Sequence, residues 1–201
     1  MNLGEISYKV ITKLNLILIE AKVKFYYRHI FGSFGQGSII KKPIILNNPH
    51  NIFIGENVTI LYSAWLSGPD GFQKKKTVLR IGNGCAIGNY AHIYATEEII
   101  IEDKVLIADK VYISDNLHNF TSVAIPIIDQ GINQLSRVVI GQGSWIGENV
   151  CIIGSSIGKN CVIGANAVVT KNIPDYCVAV GIPAKVIKTY NHKLGTWGST
   201  L

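Results

Sequence analysis

Aliphatic residues return every six positions through most of this chain. Ile81, Ile87, Ile93 and Ile99 keep that spacing, and Ile101, Ile107 and Ile113 resume it after a slip of two. Ile140, Ile146 and Ile152 repeat it, as do Ile157, Ile163 and Val169. Glycine follows the aliphatic residue at 55, 82, 88, 141, 147, 158 and 164. Four positions after the aliphatic residue comes a small or β-branched one, as at Val58, Cys85, Ala91, Val105, Val111, Ser144, Val150, Cys161 and Ala167. A helix would repeat at 3.6 and a half-buried strand at 2, so six fits neither. Six residues make one short strand and one turn. Three such units close a triangular coil, and coils stack through parallel ladders. The aliphatic residue then fills the prism, the small one also points inward, and glycine keeps the turn free of Cβ clashes.

Two stretches break the hexads, 61–80 and 115–137, and long excursions from a regular solenoid are usually functional or interfacial. The expected layout is an N-terminal helical segment over 1–33, a β-helix domain over 34–173 and a C-terminal extension over 174–201, with Pro174 and Pro183 as breakers. In the first segment Leu3, Ile6, Val10, Leu14, Ile17, Leu18, Ala21 and Phe25 mark an apolar helical face. Charge gathers there. Of a net +6, residues 1–42 hold +5, from Lys9, Lys13, Lys22, Lys24, Arg28, Lys41 and Lys42 against Glu5 and Glu20. Such an end suits an anionic membrane or cofactor; no aromatic-basic recognition motif accompanies it, so nucleic acid is not an expected partner. The helix caps the open end of the prism, lies on the inner membrane surface, or uses two faces to do both. Hydrophobic residues at 48% exclude a disordered chain. Cys85, Cys151, Cys161 and Cys177 form no C-x-x-C pair, so neither a zinc site nor any required metal is expected. The start lacks a basic segment, apolar run and cleavage site, and a cytoplasmic location with free thiols is expected.

The stretches Val111–His118 (VYISDNLH), Ile127–Gly131 (IIDQG), Trp145–Gly147 and Val180–Lys188 (VGIPAKVIK) resemble the hexapeptide-repeat acetyltransferases. The likeness covers residues 34–197 and points to the bacterial O-antigen and capsule O-acetyltransferases; Tyr190, Asn191 and Trp197 look like that branch as well. The resemblance implies an all-β fold, a left-handed parallel β-helix. It also implies a homotrimer with active sites between neighbouring prisms, acetyl-CoA as acyl donor, and His118 as base. Trp145 and Ala165 are then expected near the pantetheine arm, and Lys171, Lys185 and Lys188 near the CoA phosphates. The chain departs from the pattern twice. Asn116 stands where relatives often carry a second histidine, and Ile152–Ile157 is one residue short of the usual turn.

Acetyl transfer to a hydroxyl needs a base for the hydroxyl proton, and neutral imidazole suits that task. Asp115 or Asn116 is placed to orient the His118 ring, although an ordinary Asp-Asn turn explains the pair too. Asn89, Tyr94 and Tyr112 are candidates for the sugar pocket. The function expected is O-acetylation of a sugar on a bacterial surface polysaccharide or its precursor. The alternatives are N-acetylation of a nucleotide-linked amino sugar and a β-helix scaffold without activity.

Overall fold

The computed structural model describes residues 3–70 and 77–200. The chain visits three sheets in rotation. The first holds Ser33–Phe34, Ile52–Ile54, Val78–Ile81, Glu98–Ile101 and Val138–Ile140. The second runs Ile39–Ile40, Thr59–Ile60, Ala86–Ile87, Leu106–Ile107, Trp145–Ile146, Val162–Ile163 and Cys177–Val180. The third holds Ile45–Asn47, Trp65–Ser67, His92–Tyr94, Tyr112–Ser114, Cys151–Ile153 and Val168–Val169. Every pairing between successive coils is parallel, and equivalent hexads stand in register: Ile60, Ile87, Ile107, Ile146 and Ile163 form one row. The fold is therefore mostly β, a three-faced solenoid.

The inward row and the small row are buried throughout, with Ile87, Ala91, Ile93, Val111, Ile113, Ile146, Val150 and Ala167 all 1% exposed or less. The slip of two has a structural cause. The first sheet turns two residues of each strand inward: Leu79 with Ile81, Ile99 with Ile101, and Val138 with Ile140. The corners divide two tasks that the sequence placed on glycine alone. Left-handed backbone falls on the residue before the small one, at Asn57, Gly84, Tyr90, Lys104, Lys110, Asn149, Asn160 and Asn166. The glycine after the aliphatic residue instead permits close stacking. A Cβ at Gly141 would lie 2.5 Å from the Gly158 carbonyl carbon, a backbone atom that cannot yield.

Side chains ladder between coils at these corners. Asn83 Oδ1 accepts from the Glu56 N–H while the Asn83 N–H donates to Asp103. Asn89 and Asp109 repeat the motif one corner on. Each ladder satisfies a backbone N–H that the turn leaves without a strand partner.

Three boundaries differ from the sequence reading. Leu61–Ser67 stays in the coil, because Ala64 and Leu66 point inward and Trp65–Ser67 pairs with Ile45–Asn47. The first excursion is thus confined to 68–77, of which residues 71–76 lie outside the described residues. At the other end Pro174 does not end the solenoid. Ile173 still bridges Ile157, and Cys177–Val180 still stacks on Val162–Ile163. The chain then reverses, and Lys185–Asn191 and Thr196–Ser199 extend the second sheet antiparallel.

The N-terminal helix, Leu3–Lys22, continues as a π turn Val23–Tyr27 and ends with Arg28–Ile30. Its lower end closes the prism: Val23, Tyr27 and Phe31 are buried, and Tyr27 stacks on Phe34 at 5.7 Å. The side chains of Leu3, Ile6, Lys9 and Lys24 lie outside the described residues.

Candidate active site

The second excursion leaves the third sheet after Ser114 and returns to the first sheet at Val138. It is a built arm. Asn116–His118 pairs antiparallel with Ile132–Gln134, with His118 opposite Ile132. The Asn119 N–H donates to the Gly131 carbonyl at 3.0 Å and closes the ladder. Farther out, Gln130 Nε2 donates to the carbonyls of Ser122 and Ile125, at 2.8 and 2.7 Å, and gathers the tip around one side chain. Phe120, Val123, Ile125, Ile127 and Ile128 nevertheless stand half exposed or more.

Asp115 anchors the root of this arm. It is 0% exposed. Its carboxylate accepts from the Thr96 N–H and hydroxyl at 2.8 and 2.9 Å, and from the Glu97 and Glu98 N–H groups at 2.8 and 2.9 Å. Asn116 Nδ2 adds a fifth bond at 3.0 Å and also donates to the Tyr94 carbonyl at 3.4 Å. Gln134, from the returning strand, meets the same point: its Oε1 lies 2.7 Å from Thr96 Oγ1, whose single proton is shared between this oxygen and Asp115, and its Nε2 donates to the Asp115 carbonyl at 2.9 Å. The donors on Asp115 are thus backbone groups of the preceding coil, Thr96 and Asn116, and His118 is not among them. The imidazole of His118 stands exposed at the end of its strand, beyond this network. Asp115 and Asn116 fix where the arm leaves the prism, and thereby where His118 sits.

On the outer face of the third sheet, Trp65, His92 and Tyr112 occupy one slot on successive coils. Trp65 and His92 stack at 4.2 Å and 16°, and Tyr112 meets His92 edge-on at 5.1 Å. Tyr94 stands at the next outward position, 6.2 Å from His92 and beside the root of the arm. Burial holds His92 below the usual histidine pKa, and its Nε2 and the Trp65 Nε1 are buried with no hydrogen-bond partner among the described residues. Burial, with Tyr112 and Asp115 nearby, raises the Tyr94 phenol. Trp65 and His92 escaped the sequence reading. The signal was present, since Trp65, His92 and Tyr112 each precede an inward Leu66, Ile93 or Ile113. Asn89 is placed differently. Its amide bonds both oxygens of Asp109, at 3.2 and 3.1 Å, in the corner ladder between the second and third sheets. That bonding, Asn89 first, holds the Asp109 carboxyl below its usual range.

Trp145 lies on a strand rather than in a turn, 50% exposed on the outer face of the second sheet. Its row continues through Val162 and Val178 to Lys188. Lys185 and Lys188 are three apart and would alternate faces on a regular strand. A register shift between Val178 and Ala179 returns both to the outer face, opposite Val180 and Val178. Lys171 is exposed at the corner after Val168–Val169, and the Ala184 N–H donates to the Val168 carbonyl, which ties the turn before Lys185 to that sheet. Ala165 is exposed at the corner between the second and third sheets, beside the Lys110–Glu148 ion pair of 2.9 Å. Among the described residues no group of three or more His, Cys, Asp or Glu side chains is placed to hold a metal.

The sequence profile described as hexapeptide repeat of succinyl-transferase matches residues 137–171. The chain is 37% identical over 166 residues to WbbJ of Escherichia coli K12, named as a lipopolysaccharide biosynthesis O-acetyl transferase; the match spans 79% of this chain and 82% of that protein. Among solved structures, galactoside acetyltransferase in complex with coenzyme A is 28% identical, with a TM-score of 0.57 over 83% of this chain and 69% of that one. AntD, an N-acyltransferase from Bacillus cereus solved with dTDP and 3-hydroxybutyryl-CoA, shares the fold at 24% identity, with a TM-score of 0.71 over 87% of this chain and 90% of that one.

Proposed function

Because the chain belongs to the hexapeptide-repeat acetyltransferases, we propose that it transfers an acetyl group from acetyl-CoA to a sugar hydroxyl of a bacterial surface polysaccharide or its precursor. The observation that carries this reading is the 37% identity over 166 residues to a protein named as an O-acetyl transferase of lipopolysaccharide biosynthesis. The fold in this proposal is the left-handed form of the solenoid, assembled as a homotrimer whose sites lie between neighbouring prisms.

His118 is the general base. Its neutral ring takes the proton of the sugar hydroxyl as that oxygen attacks the thioester carbonyl. When the tetrahedral intermediate collapses, the carbon–sulfur bond breaks and His118 returns the proton to the departing sulfur. Asp115, Asn116 and Gln134 act as positioning residues at the root of the arm. The acyl donor fits the outer face of the second sheet. Trp145, Val162 and Val178 offer an apolar track for the pantetheine arm, with Ala165 at its corner, and Lys185 and Lys188 offer charge for the phosphates at its end. Lys171 joins them from the neighbouring corner. The acceptor ring is assigned to the aromatic row, with Tyr94 and Tyr112 at its edge. An apolar sugar face packs on such rings while its hydroxyls find polar groups at the rim.

The test is acetyl-CoA consumption against a panel that includes hydroxyl sugars and nucleotide-linked amino sugars. Turnover should appear with the hydroxyl sugars. In His118→Ala, kcat should fall by about 10²–10⁴ with CoA affinity unchanged. Transfer confined to the amino sugars would replace the O-acetyl reading by N-acetylation, and near-wild-type turnover in the variant would remove His118 as base.

A further inference from the structure

The N-terminal helix has a face that the prism leaves uncovered. Among the described side chains of the helix, Ile19, Val23, Tyr27 and Ile30 pack in or against the core. Val10, Ile11, Leu14, Ile17 and Leu18 are each more than half exposed. At 3.6 residues per turn these five fall within one arc of about 120°. That is broader than the two-position seam of a coiled coil and matches the width of a face that enters an apolar phase. No helix among the described residues is long and apolar enough to cross a membrane, so a face of this width would meet a bilayer only from its surface.

Beside this face, between the helix and the second sheet, is a groove of about 220 Å³. Leu18, Ile19 and Ile40 supply its apolar lining, and Lys22, Lys41 and Lys42 its charge. Lys22 lies 5.1 Å over the Tyr27 ring and Lys41 5.5 Å over Tyr62. None of the three meets a carboxylate among the described residues. An apolar lining beside three ammonium groups that meet no carboxylate among the described residues is complementary to a phosphate attached to an alkyl chain. We propose that this end of the prism docks on an anionic phospholipid surface, with the apolar arc of the helix in the bilayer interface and the groove holding a lipid phosphate.

Charge selects this occupant over a second copy of the chain. Of the net +6, +5 resides in residues 1–42. Packing the same helix from another subunit would bring Lys13, Lys22 and Arg28 against their own counterparts. An anionic leaflet attracts the same groups.

The docking does not depend on acetyl transfer, so CoA binding is measured in parallel as a control for folding. The full chain is floated with vesicles of phosphatidylcholine alone and of phosphatidylcholine mixed with phosphatidylglycerol. It should float with the mixed vesicles only and be released by added salt. Lys22→Gln/Lys41→Gln/Lys42→Gln should lower the partition coefficient by about 10², and Leu14→Glu/Ile17→Glu should abolish flotation, with CoA binding unchanged in both. No flotation would overturn the proposal, as would equal binding to both vesicle types that the lysine variant leaves unaltered. Displacement by inorganic phosphate at matched ionic strength would reassign the groove to a free anion. Loss of subunits on Leu14→Glu, read by light scattering, would assign the face to self-assembly instead.

Discussion

Asp115 and His92 show how one residue's environment fixes its role. A buried carboxylate is costly unless donors surround it, and Asp115 has five. Asp115→Ala strands the Thr96, Glu97 and Glu98 N–H groups. The expected loss is about 3 kcal/mol, roughly 6–12 °C in Tm for a chain of this size, read by a thermal melt. His92 has the opposite problem, since burial opposes its charge and lowers its pKa from 6.5. Below that ordinary value the unfolded chain binds a proton that the folded one resists. Stability is therefore fully present above pH 6.5 and is lost as pH falls through the histidine range. Between pH 7.5 and 5.5 the Tm should drop further in the wild type than in His92→Phe, which keeps the ring stack on Trp65 without a titrating nitrogen. Equal drops would place the titration elsewhere.

At the scale of the element, a corner must turn the chain and let the next coil approach. The left-handed residue does the first and the post-aliphatic glycine the second. Gly141→Ala places a Cβ 2.5 Å from backbone of the next coil and should cost about 1–3 kcal/mol, whereas Gly198→Ala, with its nearest neighbour at 3.8 Å, should melt near the wild type. The bulged strand Lys185–Asn191 carries a kinetic expectation. Lys185→Ala/Lys188→Ala should raise KM for acetyl-CoA more than KM for the acceptor. The gap should shrink with 3′-dephospho-CoA, and equal losses with both donors would show that these lysines act elsewhere. The hexads, the inward rows and the amphipathic helix were legible in the sequence, because burial imposes a period on residue type. The arm's antiparallel pairing, the Asp115 network and the bulge were not. The arm's pairing and the bulge arise where the chain reverses once, and the Asp115 network joins Thr96 of the preceding coil to Gln134 of the returning strand; none of these recurs from coil to coil, so none leaves a period. The 61–80 break looked too wide because Trp65 and Ser67 flank an inward Leu66 without a glycine to mark the hexad.

At the scale of the molecule, the arm is the least self-sufficient part. Val123, Ile127 and Ile128 stand exposed on a loop that is otherwise well tied by Gln130. A three-fold contact would bury them and place each His118 against a neighbouring prism. Light scattering should therefore report a trimer. Val123→Glu/Ile128→Glu should give smaller species with little activity but an intact fold by circular dichroism, while a fully active monomer would refute the intersubunit site.

The first sheet is widest in its middle coils and thins toward the C-terminal ones. It pairs four residues between Val78–Ile81 and Glu98–Ile101, three at Val138–Ile140, and then only single bridges at Ile157 and Ile173. In a solenoid each coil leans only on its neighbours, so rigidity need not be uniform along the axis. Amide exchange with deuterium should reach residues 154–160 and 170–176 well before 98–101. The prism then behaves as a stiff rod with a softer wall at one end. That end lies beside Lys171, where the proposed site would admit and release a long, flexible donor.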